Sequence, residues 1–403
     1  MLTHYSLLLC RAITETEIHT ALPDTPQPSL NETIRPVAHL WEIGVLSAVL
    51  LSGAFIFRAL GLSYLGVEIL IWCLYAMAYN LALGYSGLPS FGHGAFLGVG
   101  AYTMAFYQQG VVRQKANSYL VPAWRAEDFA DIKGSLTAYG GDSLWVGLLL
   151  CMLTGACAAG FVALFISHRR GIYLALMTIA FGQMIWFTAM KWTDLTKGED
   201  GIQVTYQKVA AQAGTNGEKN APGRAKRRIN RIGLLVASVD IDSERGSYFF
   251  VMGILLVAVV AIRTILHSPF GMIVQAVKQN ELRSKFVGYD VRVYKWLSFT
   301  LSGAFAGLAG GLLAQHQAGA YPEPMSLHRS GQIVMMTVIG GGFVSFWGPI
   351  VGVFYFFILR DVLGALTPTW PLWFGLSFMA IILFKPEGLM GIWHDVRRKV
   401  LGK

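Results

Sequence analysis

The sequence predicts an all-α polytopic membrane protein, with roughly ten transmembrane helices, broken or re-entrant segments, and one short helix in a loop. Three observations lead there. Of 403 residues, 54% are hydrophobic and only 14% charged, with a mean hydropathy of +0.50; soluble domains carry about a quarter charged residues. The apolar residues gather in runs about twenty long, enough to cross a hydrocarbon core of about 30 Å. Two of these runs lead into glycine-rich stretches at 84–93 and 340–347 with no polar loop between spans.

Taken in order, residues 1–37 form a polar tail, rich in Pro, Thr and Glu after residue 11. Its start lacks a basic region and its apolar run is short, so it does not read as a secretory signal. A membrane domain follows over 38–395, and a basic tail over 396–403. Within the domain, apolar runs predict spans at 38–57, 62–84, 94–110, 143–167, 171–190, 247–266, 293–316, 329–345, 348–366 and 371–385. Two polar loops interrupt them, at 111–142 and 191–246, the second holding the basic run "RAKRRINR".

A shorter loop, 267–292, is patterned. In "NELRSKFVG", Asn280 is suited to accept a hydrogen bond from a free N–H at a helix start. Gly288 can take the left-handed conformation that ends a helix. Leu282 and Phe286, four residues apart, give the helix one apolar face, with Arg283 and Lys285 elsewhere on its surface. From these residues alone, docking on a protein and lying on lipid headgroups are equal alternatives.

The formal charge of +9 and a pI near 9.3 reflect Lys and Arg beside membrane headgroups rather than nucleic-acid binding, because no zinc spacing or aromatic RNA motif accompanies them. Loop 267–292 and the C-terminal "WHDVRRKVLGK" are both basic and an even number of spans apart, which places both in the cytoplasm. The same count puts "HRRG", 168–171, on that side and 191–246 outside. The four cysteines form no CxxC pair. They predict neither a disulfide framework nor a metal site.

The stretches "ALGYSGLPSFGHGAFLGVGAYTMAF", "RRGIYLALMTIAFGQMIWF", "LTKGEDGI", "SPFGMIVQAVKQNELRSKFVGYDVRVYKWLSFTLSGAFAGLAGGLLA", "VIGGGFVSFWGPIVG" and "FKPEGLMGIW" follow one another from about residue 60 to 395. Together they resemble the branched-chain amino acid ABC transporter permeases, in particular the second permease of the pair. Urea and short-amide permeases share much of the pattern. The resemblance implies a cytoplasmic (inner) membrane subunit of a bacterial ATP-driven importer. Its partners would be a homologous second permease, two cytoplasmic ATPases and an external, periplasmic binding protein. The 280–288 helix would then be a coupling helix docking into an ATPase groove, through Asn280, Glu281, Leu282, Arg283, Phe286, Gly288 and Tyr289. The basic loop after "LTKGEDGI" and the N-terminal tail fall outside the family pattern.

Moving a small polar solute requires polar groups inside the membrane, and unwound backbone supplies them where it is buried in protein or lines a cavity. Transporters place such broken helices in corresponding positions of two halves, near the midplane. The candidates are Tyr85, Ser86, Gly87, Pro89, Ser90, Phe91, Gly92 and His93 in the first break, and Gly341, Gly342 and Ser345 in the second. Pro89 breaks the helix; the two serines and freed N–H groups would face a path. His93 also has a plainer reading, a buried histidine bonding a carbonyl. The pairs Gly94/Gly98 and Gly303/Gly307 fit close helix packing. Glu68 reads as interfacial and the Arg360–Asp361 pair as structural or snorkelling.

No phosphate-cradling loop is present, so ATP hydrolysis is expected from other chains and the chain is not expected to be an enzyme. No histidine falls at metal-ligand spacing with carboxylates, so no metal or cofactor is expected. A stand-alone secondary transporter or channel is the alternative of another class, but the intramembrane carboxylates that mark such proteins are nearly absent. A membrane-embedded enzyme is opposed by the lack of clustered His, Asp or Cys.

Overall fold

The structure, a computed structural model, describes residues 44, 47, 50–53, 57, 61–116, 144–169, 171–203, 231–234, 237–240, 244–343, 345–385 and 387–401. The N-terminal tail, much of the 38–57 span and most of loops 111–142 and 191–246 lie outside the described residues. Two units divide the chain, 1–48 and 49–403. In the first, Gly44 and Ser47 are helical and the Ser47 hydroxyl donates to Gly44 O at 2.8 Å. The second holds the rest.

Twelve helices of six residues or more are described in that second unit: α1 (Ser63–Asn80), α2 (Gly94–Ala116), α3 (Leu144–Ile166), α4 (Ile172–Lys191), α5 (Glu244–His267), α6 (Pro269–Gln279), α7 (Glu281–Phe286), α8 (Val291–His316), α9 (Leu327–Gly340), α10 (Gly348–Leu366), α11 (Trp370–Phe384) and α12 (Gly388–Leu401). A π-helical turn, Leu81–Tyr85, extends α1. Among the described residues, six stretches are long and apolar enough to cross a membrane, namely 63–85, 144–166, 172–191, 246–267, 291–316 and 348–366. The architecture is thus an all-α polytopic membrane protein. Its described β-structure is two short antiparallel pairs: β1 (Ile202–Gln203) with β4 (Gly319–Ala320), and β2 (Arg231–Leu234) with β3 (Ala237–Asp240).

The centre of the bundle is α8. Small residues on its surface let three helices approach it closely. A Cβ on Gly303 would lie 2.1 Å from the Ala159 Cβ of α3; one on Gly310 would lie 1.8 Å from Leu97 O of α2. Helix α1 runs antiparallel to α8: Tyr64 stacks on His316 at 4.1 Å, and the Ser302 hydroxyl donates to Ala78 O at 2.6 Å. Helix α3 is antiparallel as well, with Trp296 Nε1 donating to Gly160 O at 2.8 Å. Helix α2 is parallel to α8, since His93 meets Ser302, Gly100 meets Gly307 and Gln108 bonds Gln315. Residues 81–93 therefore form a re-entrant turn between an inbound α1 and an outbound α2.

These directions bring 267–292, the end of α3 near Arg169 and the start of α12 to one end of the bundle. The β1–β4 pair lies at the other, where it ties the "LTKGEDGI" segment to the chain leaving α8. At this second end Arg360 Nη1 sits 4.0 Å from Glu68 Oε1, its Nε donates to Asp361 Oδ1 at 2.9 Å, and its guanidinium covers the Phe357 ring. That set holds α10 against α1.

The 267–292 loop holds more than one helix. Ser268 caps α6 by accepting from Gly271 N, and Pro269 supplies the first-turn residue that lacks an N–H. Asn280 then caps α7, its Oδ1 accepting from Arg283 N at 2.9 Å, and Gly288 follows at φ +99°.

Candidate functional site

Two breaks in the helical pattern meet at the 267–292 end. The first begins where α1 loosens into the π-helical turn 81–85, continues through Gly87 at φ +66° and Pro89, and ends at the start of α2. The second is the turn between α9 and α10, with Gly341 at φ +88°. They touch: a Cβ on Gly84 would lie 2.7 Å from Gly342 O and 2.1 Å from Asn80 Oδ1. Only glycine fits at either position. Asn80 is wedged between the two, and among the described residues neither polar atom of its buried amide has a hydrogen-bond partner.

The sequence candidates fall into distinct environments. Tyr85, Pro89 and Phe91 are half-buried, Gly87 is exposed, and Ser86, Ser90, Gly92 and His93 are buried. Ser86 donates to Leu81 O at 2.8 Å, so its oxygen accepts from Ser298 on α8. Phe91 N donates to Thr178 Oγ1 of α4 at 3.2 Å, and Gly94 N to Ser330 Oγ of α9 at 3.2 Å. Two of the N–H groups freed by the break are thus taken up by hydroxyls of α4 and α9, while α8 bonds the Ser86 side chain. In the second break Gly341 and Gly342 are buried, and Ser345 Oγ accepts from Trp347 N at 3.4 Å.

His93 does not face open space. Its side chain is wholly buried among Tyr75, Tyr79, Phe96 and Phe299. Ser302 spends its one hydrogen on Ala78 O, so the His93 Nε2–H is the donor in the 2.9 Å contact between them. The ring's one hydrogen bond is through Nε2, and its Nδ1 has no hydrogen-bond partner among the described residues. Its bond is to a hydroxyl rather than to a carbonyl.

Height along α8 locates the first break. Ser298 and Ser302 lie about 10 and 16 Å from the start of a helix rising 1.5 Å per residue. Residues 84–92 therefore occupy the half of the bundle nearest loop 267–292, and the break reaches the middle only at His93.

Four residues escaped the sequence reading. Asn80 looked like the end of an apolar span. Ser298 and Ser302 share one face of α8 but point to partners more than two hundred residues away in sequence. The fourth, Lys278 on α6, donates from its ammonium to Gly84 O, the carbonyl that the π-turn leaves free, and lies 5.7 Å from the Phe343 ring centroid. Its stem rests on Gly87. Partial burial of the ammonium lowers its pKa below the ordinary lysine value. The signal available in the sequence was "SP" at 268–269, a helix start that would have revealed α6.

The short helix α7 carries its apolar face outward. Leu282 is 58% exposed and Phe286 88%, and Val287 and Tyr289 are exposed beside them. Glu281 turns the other way, pairing with the buried Lys295 of α8 at 3.0 Å. Arg283 is exposed as well.

The sequence profile of a family described as the permease component of branched-chain amino acid transport systems matches residues 61–385. Two curated relatives carry the name high-affinity branched-chain amino acid transport system permease protein LivM, from Escherichia coli and Salmonella typhimurium. Each is 25% identical over 334 residues, covering 80% of this chain and 68% of the relative. No solved structure matches the chain. The matched span runs from the helix entering the first break to the end of α11 beyond the second, and the chain belongs to the family of branched-chain amino acid transport permeases.

Proposed function

We propose that this chain forms, with a homologous second permease, the membrane path of an ATP-driven importer for branched-chain or related small polar amino acids in a bacterial inner membrane. Two cytoplasmic ATPases would supply the energy and an external binding protein would deliver the solute. The observation that carries the reading is the meeting of two unwound segments inside one bundle, at the end where an exposed apolar helix projects. Unwound backbone offers carbonyls and N–H groups to a zwitterion that lipid would exclude. On this reading the path residues are Tyr85, Ser86, Gly87, Pro89, Ser90, Phe91 and Gly92, with Gly341, Gly342 and Ser345 opposite, and His93 closes the upper end as a packed support. The membrane domain is 38–395, and the tails 1–37 and 396–403 lie outside the path.

Helix α7 would be the docking element. A six-residue helix capped at its start by Asn280 and closed after its end by Gly288 keeps its shape outside a groove, and Leu282 and Phe286 present an anchor to a partner. An aromatic anchor in such an interface contributes about 2 kcal/mol or more. Phe286→Asp is therefore expected to weaken ATPase association about thirtyfold or more and to abolish uptake, while the membrane body stays folded. Pull-down of the ATPase subunits and solute uptake into proteoliposomes measure this. Parental association together with parental uptake would remove the docking assignment. Comparing labelled leucine with labelled urea in the same vesicles separates amino-acid transport from the urea and short-amide alternative.

A further inference from the structure

Loop 267–292 is fastened to the first break by two separate routes. On one, Lys278 reaches from α6 to the Gly84 carbonyl, lays its methylenes on Gly87 and its ammonium over Phe343. No carboxylate pairs with this ammonium among the described residues, so the break itself is its partner. A charged donor on a carbonyl with no helical acceptor role is a strong, directional tie. Because Phe343 belongs to the second break, one side chain touches both.

On the other route, Glu281 in the first turn of α7 pairs with Lys295, which is 8% exposed, at the start of α8. The nearby Lys285 contact to the same Glu281 is longer, 3.8 Å, and more exposed, and such surface pairs hold little. Residues Lys295, Ser298 and Ser302 stand three and seven positions apart and so share a face of α8. Ser298 bonds Ser86, and Ser302 bonds His93 and Ala78. A displacement of α7 that moves Lys295 therefore moves the helix holding both ends of the break.

We propose that Lys278 and the Glu281–Lys295 pair are positioning residues of the transport cycle, the struts by which a displaced α7 shifts residues 84–93. The inference rests on the docking reading of α7. Without the struts, an ATPase could turn over against a docking helix that no longer moves the break.

The test uses the whole complex in proteoliposomes, with uptake, ATP hydrolysis and ATPase association read on each variant. Lys278→Met keeps length and apolar stem but loses the ammonium. It is expected to retain association and hydrolysis within about twofold while uptake per ATP falls about tenfold, the size of one lost charge-assisted bond. Lys278→Arg is expected to restore coupling. Parental uptake per ATP in Lys278→Met overturns the proposal. So does a parallel loss of association, hydrolysis and uptake that Lys278→Arg fails to rescue, because that is a folding role. For the second route, Glu281→Gln and Lys295→Met combined are expected to lower uptake per ATP no further than the worse single variant; additive losses overturn it. Unchanged association in Phe286→Asp, with Lys278→Met still uncoupled, removes the docking reading and with it α7 as the displaced element, but keeps Lys278 as a positioning residue. The converse result removes the strut alone.

Discussion

The two breaks meet at Asn80, yet they are held in different ways. Residues 81–93 and the start of α2 are fastened by hydroxyls: Ser298 on Ser86, Thr178 on Phe91, Ser302 on His93 and Ser330 on Gly94. Close backbone contacts add to these: a Cβ on Gly92 would meet Thr178 O at 1.9 Å, one on Gly84 would meet Gly342 O at 2.7 Å and one on Gly94 would meet Pro324 O at 2.7 Å. The turn 340–348 is fastened by backbone against backbone. A Cβ on Gly340 would lie 1.9 Å from Gly348 O, one on Gly352 would lie 1.8 Å from Met336 O, and one on Gly388 2.6 Å from Gly341 N. A hydroxyl bond nets about 1 kcal/mol and can be exchanged for another. Close-packed backbone has no such alternative, since any shift opens a void or a clash. The first break is therefore expected to yield before the second.

The largest predicted effect tests the fixed side. Gly352→Leu places a side chain into the α9 backbone, and the overlap cannot be relieved by rotating a neighbour. Overpacking of this kind costs about 3 kcal/mol or more. Loss of monodisperse protein after detergent extraction is the expected result. Gly253→Ala is the control, because nothing lies within 4 Å of its Cβ position; it is expected to fold normally, with a gain of about 0.5–1 kcal/mol from helix propensity. A well-folded Gly352→Leu protein would break the comparison at its rigid end.

Much of this arrangement was legible before any coordinates. Nine of the predicted spans correspond to described helices, because apolar length is a local property. The small-residue pair on α8 announced close packing, but not that Gly303 and Gly307 would meet Gly155. Apolarity also says little about position within the bundle. The most apolar 18-residue windows of 63–85 and 172–191 have nearly the same mean hydropathy, 1.5 and 1.6, yet 89% of the first window and 22% of the second is buried. What separates them is neighbours. The same reason hid Asn80 and Lys278: each is unremarkable alone, and its role comes from a glycine carbonyl or a glycine Cα brought close by the fold.

The next effect concerns the hydroxyl-held side. Ser302→Ala leaves the buried His93 Nε2–H without an acceptor, which costs about 1–3 kcal/mol. His93→Phe removes donor and orphan Nδ1 together, while Ser302 keeps Ala78 O. Thermal unfolding is therefore expected to rank Ser302→Ala below His93→Phe. The double variant is expected to recover part of the Ser302→Ala loss rather than add to it. If His93→Phe proves the more destabilised, ring packing rather than hydrogen bonding holds the upper end of the break.

The smallest effect is the most diagnostic of mobility. Ser298→Ala deletes a partner of Ser86 without creating a buried donor, because Ser86 still gives its hydrogen to Leu81 O. The loss is about 1 kcal/mol, a factor of about five in a local opening equilibrium. Amide hydrogen exchange reads such openings segment by segment. Exchange across 84–93 is expected to rise about fivefold in Ser298→Ala, while 340–348, which makes no bond to Ser298, stays as it was. A rise in both segments would mean that the breaks open as one unit through Asn80, and that the second is no more fixed than the first. An unchanged first segment would mean that backbone contact at Gly92, rather than the hydroxyls, holds it.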